Sequence, residues 1–427
     1  MAVDGTRWCE LLVGLDRVRV LDVAGEDDRL RVVIETTDDV AGCAACGTRA
    51  KVKDRPAVEL ADLPAFGTPS TLVWSKRRWQ CPAGGCVAGS WTEERADIAL
   101  PRAAMTTRAA IWSTVQVGRH VHAVAWAADQ LGVNWHTVMD AIELWGGHLV
   151  EHPDRIAATT ALGVDETSWL AATATESTRW VASICDVEAR QVIDVIEGRG
   201  AGDLGGWLEQ RPQDWKDAVT TTVSDLHEPF RAALETHFPD AVAVADPFHV
   251  VAVGTRAVDK CRRRVQQELL GHRGRKHDPL FRARKLLAMA DERLDDNGRA
   301  KRRGLLAAGD PTGEVSEVWL VKDCLRDLYT ITEPNVADQW LDGLIDDCLD
   351  ANSPEARSVA TTLKRWRSRI LAWHSTGVTN GPVEGLNSII KKIKRVGAGF
   401  RSFTNYRLRI LLAIGGCNWT LLGTKPR

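Results

Sequence analysis

Between residues 162 and 245 five strand-like runs follow an order that sets the architecture of the chain. Runs at 162–165, 179–185 and 191–197 succeed one another across polar or glycine-containing turns, so an antiparallel start is expected. A helix over 198–210, a strand over 218–224, a helix over 228–237 and a strand over 241–245 come next, and this alternation predicts a parallel finish to the same sheet. The first strand is expected to end on Asp165, the fourth to run into Asp225 and the fifth to end at Asp246. From 250 to about 375 the pattern is almost wholly helical and reads as an inserted helical domain. Its charge is segregated: between Arg256 and Arg303 there are 16 Lys/Arg against 7 Asp/Glu, whereas Asp323 to Asp350 is acidic. The net charge of −2 therefore leaves polyanion binding open.

Ahead of the sheet, residues 11–40 alternate apolar and polar, as a β-ribbon with its turn at Glu26-Asp27-Asp28 would. Cys43 and Cys46 form one close pair, Cys81 and Cys86 a second, each on a small-residue or glycine-rich turn. Four thiolates in two such pairs suit a tetrahedral structural Zn²⁺ ribbon better than free thiols. Lys76, Arg77 and Arg78 precede the second pair and are expected on the ribbon surface, against phosphate or solvent. Residues 124–138 have a helix-turn-helix rhythm, with Gly132 at the turn, Val133 plugging the interhelical core, and Trp135, His136 and Thr137 opening a recognition helix. An alanine-rich helical hairpin without DNA contacts has the same pattern.

After the helical stretch, Asn380, Pro382 and the apolar repeat Val383, Leu386, Ile389, Ile390 and Ile393 predict a helix. Its other stripe carries Glu384, Asn387, Lys391 and Lys394, within the basic run Lys391-Lys392-Ile393-Lys394-Arg395. One carboxylate beside several cations suits a metal held next to a polyanion, although a solvated amphipathic helix has the same look. If the strands of Asp165 and Asp225 are neighbours, both carboxylates emerge at one edge and Glu384 can complete a site. Three hard oxygen ligands with open positions suit Mg²⁺ or Mn²⁺, activating a water or 3′-hydroxyl for in-line attack at phosphorus. Arg262, Arg263 and Arg264, with Arg273, Arg275 and Lys276, fit contacts to a nucleic-acid backbone or a solvated helical face. Most of the 17 tryptophans are expected in cores, with Trp169 and Trp319 as candidates for base stacking.

Gly163-Val164-Asp165-Glu166, Val223-Ser224-Asp225, Asp246-Pro247-Phe248-His249-Val250 and Val383-Glu384-Gly385-Leu386-Asn387 through Lys391–Arg395 to Gly399-Phe400 resemble signatures of bacterial insertion-sequence transposases of the ISL-three type. The Cys43/Cys46/Cys81/Cys86 module is similar to that family's N-terminal zinc finger. The resemblance implies a multidomain α/β protein: a β-ribbon and zinc ribbon over 1–100 and a helix-turn-helix domain over 101–155. A ribonuclease H-like mixed-sheet core would start over 156–250, be interrupted by the all-helical insertion 251–375, and close with helices over 376–427. It further implies a DDE enzyme that cuts transposon ends and joins them to target double-stranded DNA, working as a homodimer or higher assembly. Asp165, Asp225 and Glu384 would be the catalytic acids. Asp246 stays open as the second acid because of its Asp-x-Phe-His setting; a ribonuclease H-like core favours Asp225, with His249 auxiliary and Glu166 structural. Asn387, Lys391, Lys392, Lys394 and Arg395 would contact DNA.

No run is apolar enough to span a membrane, the N-terminus does not resemble a secretory signal, and ten cysteines fit a reducing setting, so an intracellular protein is expected; the resemblance implies that it is bacterial, cytoplasmic and nucleoid-associated. A catalytically inactive zinc-containing DNA-binding regulator derived from a transposase is the alternative. A glycosidase reading of the paired carboxylates conflicts with the basic flank of Glu384.

Overall fold

The computed structural model describes residues 5–37 and 40–423. Two compact units emerge, Met1–Ile156 with Ile389–Arg427, and Ala157–Ser388.

The first unit opens with helix α1 (Gly5–Val13), where the ribbon had been expected from residue 11. Strands β1 (Val18–Glu26) and β2 (Arg29–Thr36) then form the ribbon, turning through Asp27 and Asp28 at φ 46° and 60°. Positive φ at both turn residues matches the twist of a tight hairpin. Next come β3 (Lys51–Asp54), β4 (Ala57–Ala65), β5 (Thr68–Ser75), β6 (Arg78–Gln80) and β7 (Ser90–Thr92). One sheet has the order β1-β2-β5-β4 and a core of Val18, Val20, Ile34, Leu60, Leu72 and Trp74; the other has the order β3-β6-β7. Arg77 lies in the break between β5 and β6 and is buried, 3.1 Å from the Glu93 carboxylate and 2.5 Å from Thr36 Oγ1. The expected surface position of Arg77 is therefore corrected: its charge ties the loops of this unit together. Helices α2 (Thr107–Thr114), α3 (Val124–Leu131) and α4 (Trp135–Val150) complete this stretch.

The second unit contains β8 (Ala161–Leu170), β9 (Arg179–Asp186), β10 (Gln191–Glu197), α5 (Ala201–Glu209), α6 (Gln213–Asp217), β11 (Thr221–Ser224), α7 (Glu228–His237) and β12 (Val242–Ala245). They build one mixed sheet in the order β10-β9-β8-β11-β12. β8, β9 and β10 pair antiparallel, while β8, β11 and β12 run parallel, with α5 to α7 making the crossovers. Asp165 lies in the middle of β8, not at its end, because β9 continues to pair with it as far as Leu170 whereas β11 pairs only as far as Val164.

Six helices follow: α8 (Pro247–Leu270), α9 (Pro279–Ala288), α10 (Asp296–Gly309), α11 (Glu314–Leu328), α12 (Pro334–Asp350) and α13 (Pro354–Thr376). Their apolar stripes bury Val258, Cys261, Leu325, Leu341, Leu363 and Trp366 in a shared core, so tertiary packing holds a stretch whose charges alone would leave it solvated. Buried Lys322 Nζ donates to the carbonyls of Leu287 and Met289 at 3.0 and 2.8 Å, satisfying carbonyls at the end of α9. Helix α14 (Gly381–Val396) then begins in this unit. The last helix, α15 (Phe403–Ile414), packs in the first unit against α4, where a Cβ at Gly146 would lie 2.8 Å from Leu412 Cδ1. The segment expected to close the catalytic core is thus divided between the two units. Among the described residues no helix is long and apolar enough to cross a membrane.

Candidate metal centre and nucleic-acid contacts

The parallel ladder ends in one row, Val164 on β8, Ser224 on β11 and Ala245 on β12. The next residue on each strand is an aspartate: Asp165, Asp225 and Asp246. Three acids thus stand at one level on neighbouring strands, Asp165 within β8 and Asp225 and Asp246 just past the ends of β11 and β12. Helix α14 packs on the face of Gly163, two residues before Asp165 and therefore on the same side of β8. A Cβ at Gly163 would stand 2.7 Å from Val383 Cγ2, 2.8 Å from Val187 Cγ2 and 3.0 Å from Asn380 Oδ1, so only glycine lets the helix come this close. Asn380 N donates to Asp246 Oδ1 at 2.8 Å, fixing the start of α14 to the end of β12.

This approach brings Glu384 to His249, Oε1 to Nε2 at 3.8 Å. One ligand atom each from Asp246, His249 and Glu384 lie within 4.8 Å of one another. One turn further along α14, Asn387 Nδ2 donates to Asp165 Oδ2 at 2.7 Å, and Ser183 Oγ, from the partner of Asp165 on β9, donates to Asn387 Oδ1 at 3.1 Å. Asn387 is buried, which corrects its expected place on a DNA-facing stripe: its amide is spent on Asp165. Asp165 Oδ1 accepts from Glu166 N at 2.8 Å. Glu166 sits 2.9 Å from Arg199 and 3.8 Å from His227.

Burial raises the Asp165 carboxyl above its usual range, against the opposing bond from Glu166 N and the charge of His249. Burial, and then the Asp165 charge, push Asp225 up to about 6, while His249 opposes the shift. Asp225 Oδ1 and Asp246 Oδ2 are buried without a hydrogen-bond partner among the described residues. Orphaned carboxylate oxygens beside a second, repelling carboxylate are costly as they stand, and a divalent cation with oxygen preference fits both needs.

In the first unit, Cys43 Sγ lies 3.6 Å from Cys86 Sγ and Cys46 Sγ 3.5 Å from Cys81 Sγ, with all four sulfurs within 4.8 Å of one another. Zn–S bonds of about 2.3 Å in a tetrahedron put sulfurs roughly 3.8 Å apart, so the four fit one zinc ion. The five-residue step from Cys81 to Cys86 is accommodated by Gly85 at φ 77°. Hydrogen bonding with Thr48 lowers Cys46 to about 6.

Gly132, at φ 62°, makes the sharp turn between α3 and α4, and Asn134 caps α4 by accepting from Thr137 N at 2.9 Å. Trp135 and His136 are exposed at the start of that helix. Lys391, Lys392 and Arg395 are exposed on α14, and Lys394 is half-buried. Arg262 is buried and bonds Asp259 and Gln266 at 2.6 Å each, which removes it as an outward contact. Arg263 pairs with Asp259, and Arg264 binds Glu355 at 3.0 Å, Glu268 at 3.0 Å and Glu314. Trp169 is buried and Trp319 packs against the helical core beneath Arg302, which leaves neither ring open for a base. Sequence reasoning missed Ser183 and the positioning work of Asn387, since only strand register brings residues 204 apart together.

A family model for transposases of the ISL3 type matches residues 162–410. A second, described as the zinc-finger of transposase IS204/IS1001/IS1096/IS1165, matches residues 39–86. The transposase for insertion sequence element IS1557 of Mycobacterium tuberculosis is 24% identical, with 98% of this chain and 97% of the relative covered. The transposase for insertion sequence element IS1001 of Bordetella parapertussis is 26% identical over 94% of this chain and 95% of its own.

Proposed function

The chain belongs to the ISL3 transposase family, and from that premise we propose that it is an active DDE transposase, binding the ends of its insertion sequence and catalysing Mg²⁺-dependent DNA strand cleavage and transfer. One observation carries the reading: Asp165 and Asp225 follow the same ladder row on adjacent parallel strands, and the helix bearing Glu384 packs over that face. The order β10-β9-β8-β11-β12, with its antiparallel and parallel halves, supports reading the sheet as a ribonuclease H-like core with α8 to α13 as an insertion.

Asp165, Asp225 and Glu384 offer the carboxylate oxygens. Asp246, which lies with His249 and Glu384 within 4.8 Å, remains the alternative second acid; the case for Asp225 is that its strand neighbours that of Asp165 and that the Asp165 charge acts on it. Mg²⁺ or Mn²⁺, when bound, supplies Lewis acidity for attack of water or a 3′-hydroxyl on phosphorus and for departure of the leaving oxygen. Asn387 holds the Asp165 carboxylate in one orientation, and His249, beside Glu384, would serve as an auxiliary group toward a phosphate oxygen. The zinc ribbon and the α3–α4 pair, through Trp135, His136 and Thr137, serve to recognise the element's ends, with Lys391, Lys392, Lys394 and Arg395 as backbone contacts. Holding two ends together calls for a dimer or larger assembly on DNA, in the bacterial cytoplasm.

The test is cleavage of labelled DNA carrying the element's ends, with Mg²⁺, by wild type and by Asp165→Ala, Asp225→Ala, Asp246→Ala and Glu384→Ala. Wild type is expected to release 3′ ends, and Asp165→Ala, Asp225→Ala and Glu384→Ala to bind without cutting. Binding without cleavage by wild type would establish the inactive-regulator alternative. Normal cutting by Asp225→Ala with none by Asp246→Ala would transfer the second acid to Asp246.

A further inference from the structure

Helix α8 starts at the metal centre and leads away from it. His249, Val253, Arg256, Lys260, Arg263 and Gln267 recur at steps of three and four residues, so one face of α8 carries His249 and a row of cations behind it. At 1.5 Å per residue the row is roughly 27 Å long, about eight base pairs of duplex at 3.4 Å each.

Open clefts follow this row. One of about 1140 Å³ is lined by Arg256 and Lys260, with Arg273 after α8 and Lys285 on α9. A second, of about 380 Å³, shares Arg256 and Lys260 and is bounded across from them by Arg365 on α13. A third, of about 430 Å³, shares Arg365 and the hydroxyl-bearing Ser358 and Thr362 with the second and adds Arg357 and Thr361. They form one trough with cations on three helices.

The acids of the trough are already engaged: Asp259 by Arg262 and Arg263, Glu268 and Glu355 by Arg264. Among the described residues, Arg256, Lys260, Arg273, Lys285 and Arg365 have no carboxylate in ion-pair contact. Five cations without an ion-pair contact, held along one channel, are an electrostatic cost that a polyanion relieves. Trp366 is the aromatic residue in the lining, and it is buried. Unpaired bases would find no stacking platform there, which favours duplex over single strands.

We propose that this trough holds the backbone of duplex DNA where it leaves the metal centre along α8. The inference rests on the transposase reading of that centre, and it assigns the work expected of the 262–264 arginines to Arg256, Lys260, Arg273, Lys285 and Arg365.

The experiment uses the full chain and a duplex containing the element's end and its flank, with binding read by fluorescence anisotropy across a salt series. Arg256→Ala/Lys260→Ala/Lys285→Ala is compared with wild type and with the control Lys301→Ala/Arg303→Ala, whose cations lie outside the trough. These residues are exposed, and a melting curve checks that each variant is folded. The triple variant is expected to lose at least tenfold in affinity near 0.1 M salt and to show a log–log salt slope smaller by roughly 2.7, or 0.9 per lost phosphate contact, while the control changes little. Shortening each side of the duplex in turn by about eight base pairs should weaken wild type on one side and leave the triple variant nearly unaffected. An unchanged slope and affinity in the folded triple variant would overturn the proposal, as would an equal loss in the control. Cleavage is scored in parallel. Wild type that cuts while the triple variant keeps its slope refutes the trough alone; wild type that binds with the expected slopes but never cuts refutes the catalytic reading alone.

Discussion

Asp225→Asn should stabilise the metal-free protein at neutral pH. A carboxyl whose titration moves from 3.8 to about 6 costs the folded state, when ionised, about 3 kcal/mol at 1.36 kcal/mol per pH unit. Asp225 keeps some contact with solvent, and part of the shift belongs to its repulsion with Asp165, so roughly 2 kcal/mol is the expected gain. The sign follows from linkage. The folded state binds this proton more tightly than the unfolded chain, so protonation favours folding; the benefit is complete below about pH 4 and disappears as pH rises through about 6. The asparagine variant, indifferent to this titration, should therefore equal wild type near pH 4 and exceed it above pH 7. In EDTA the gain appears as a rise in melting temperature of the unit holding the site, roughly 2–4 °C per kcal/mol. With millimolar Mg²⁺ the order should narrow or reverse, because ion binding stabilises only the chain that keeps the ligand. If Asp225→Asn melts at or below wild type in EDTA at pH 7.5, or if its advantage persists unchanged at pH 4, the carboxylate is not the strained, cation-seeking group described here.

Asn387→Ala should weaken Mn²⁺ binding by roughly 10- to 100-fold, measured by calorimetry, because the Asp165 carboxylate loses the amide that orients it; an unchanged affinity would make Asn387 a packing residue. Purified protein should contain one zinc per chain by elemental mass spectrometry, and Cys46→Ala should lose it along with protection of residues 43–86 in hydrogen exchange. Retention of the metal would mean that Cys46 is not a ligand. Gly163→Val should destabilise the second unit by about 1–3 kcal/mol in urea, since its side chain would collide with Val187, Val383 and Asn380. A neutral outcome would show that α14 does not rest on this strand.

The succession of strands and helices from residue 162, the helical stretch after 250 and the cysteine pairs were legible because each is written in local periodicity or spacing, and the acids stood out as polar residues at the ends of apolar runs. Charge runs were poorer guides. Arg77 and the 262–264 arginines look like solvated faces in one dimension, yet Glu93 neutralises Arg77, and Glu314 and Glu355 neutralise Arg264, across distances that no local pattern records, while Asp259 takes Arg262 and Arg263 from one helical turn away. Asn387 was misread for the same reason: helical spacing assigns it to the stripe of Glu384 and Lys391, and its partners on β8 and β9 are visible only in three dimensions.

By itself, then, the sequence determined most strands and helices from residue 162 onward and which residue types could ligate metal, because backbone propensity and side-chain chemistry are properties of neighbours along the chain. Tertiary structure decided which acids meet and which cations remain free. Ladder register aligns Asp165, Asp225 and Asp246 in one row, the absence of a side chain at Gly163 admits α14 to that row, and burial turns the resulting proximity of like charges into a site with an electrostatic need for a cation.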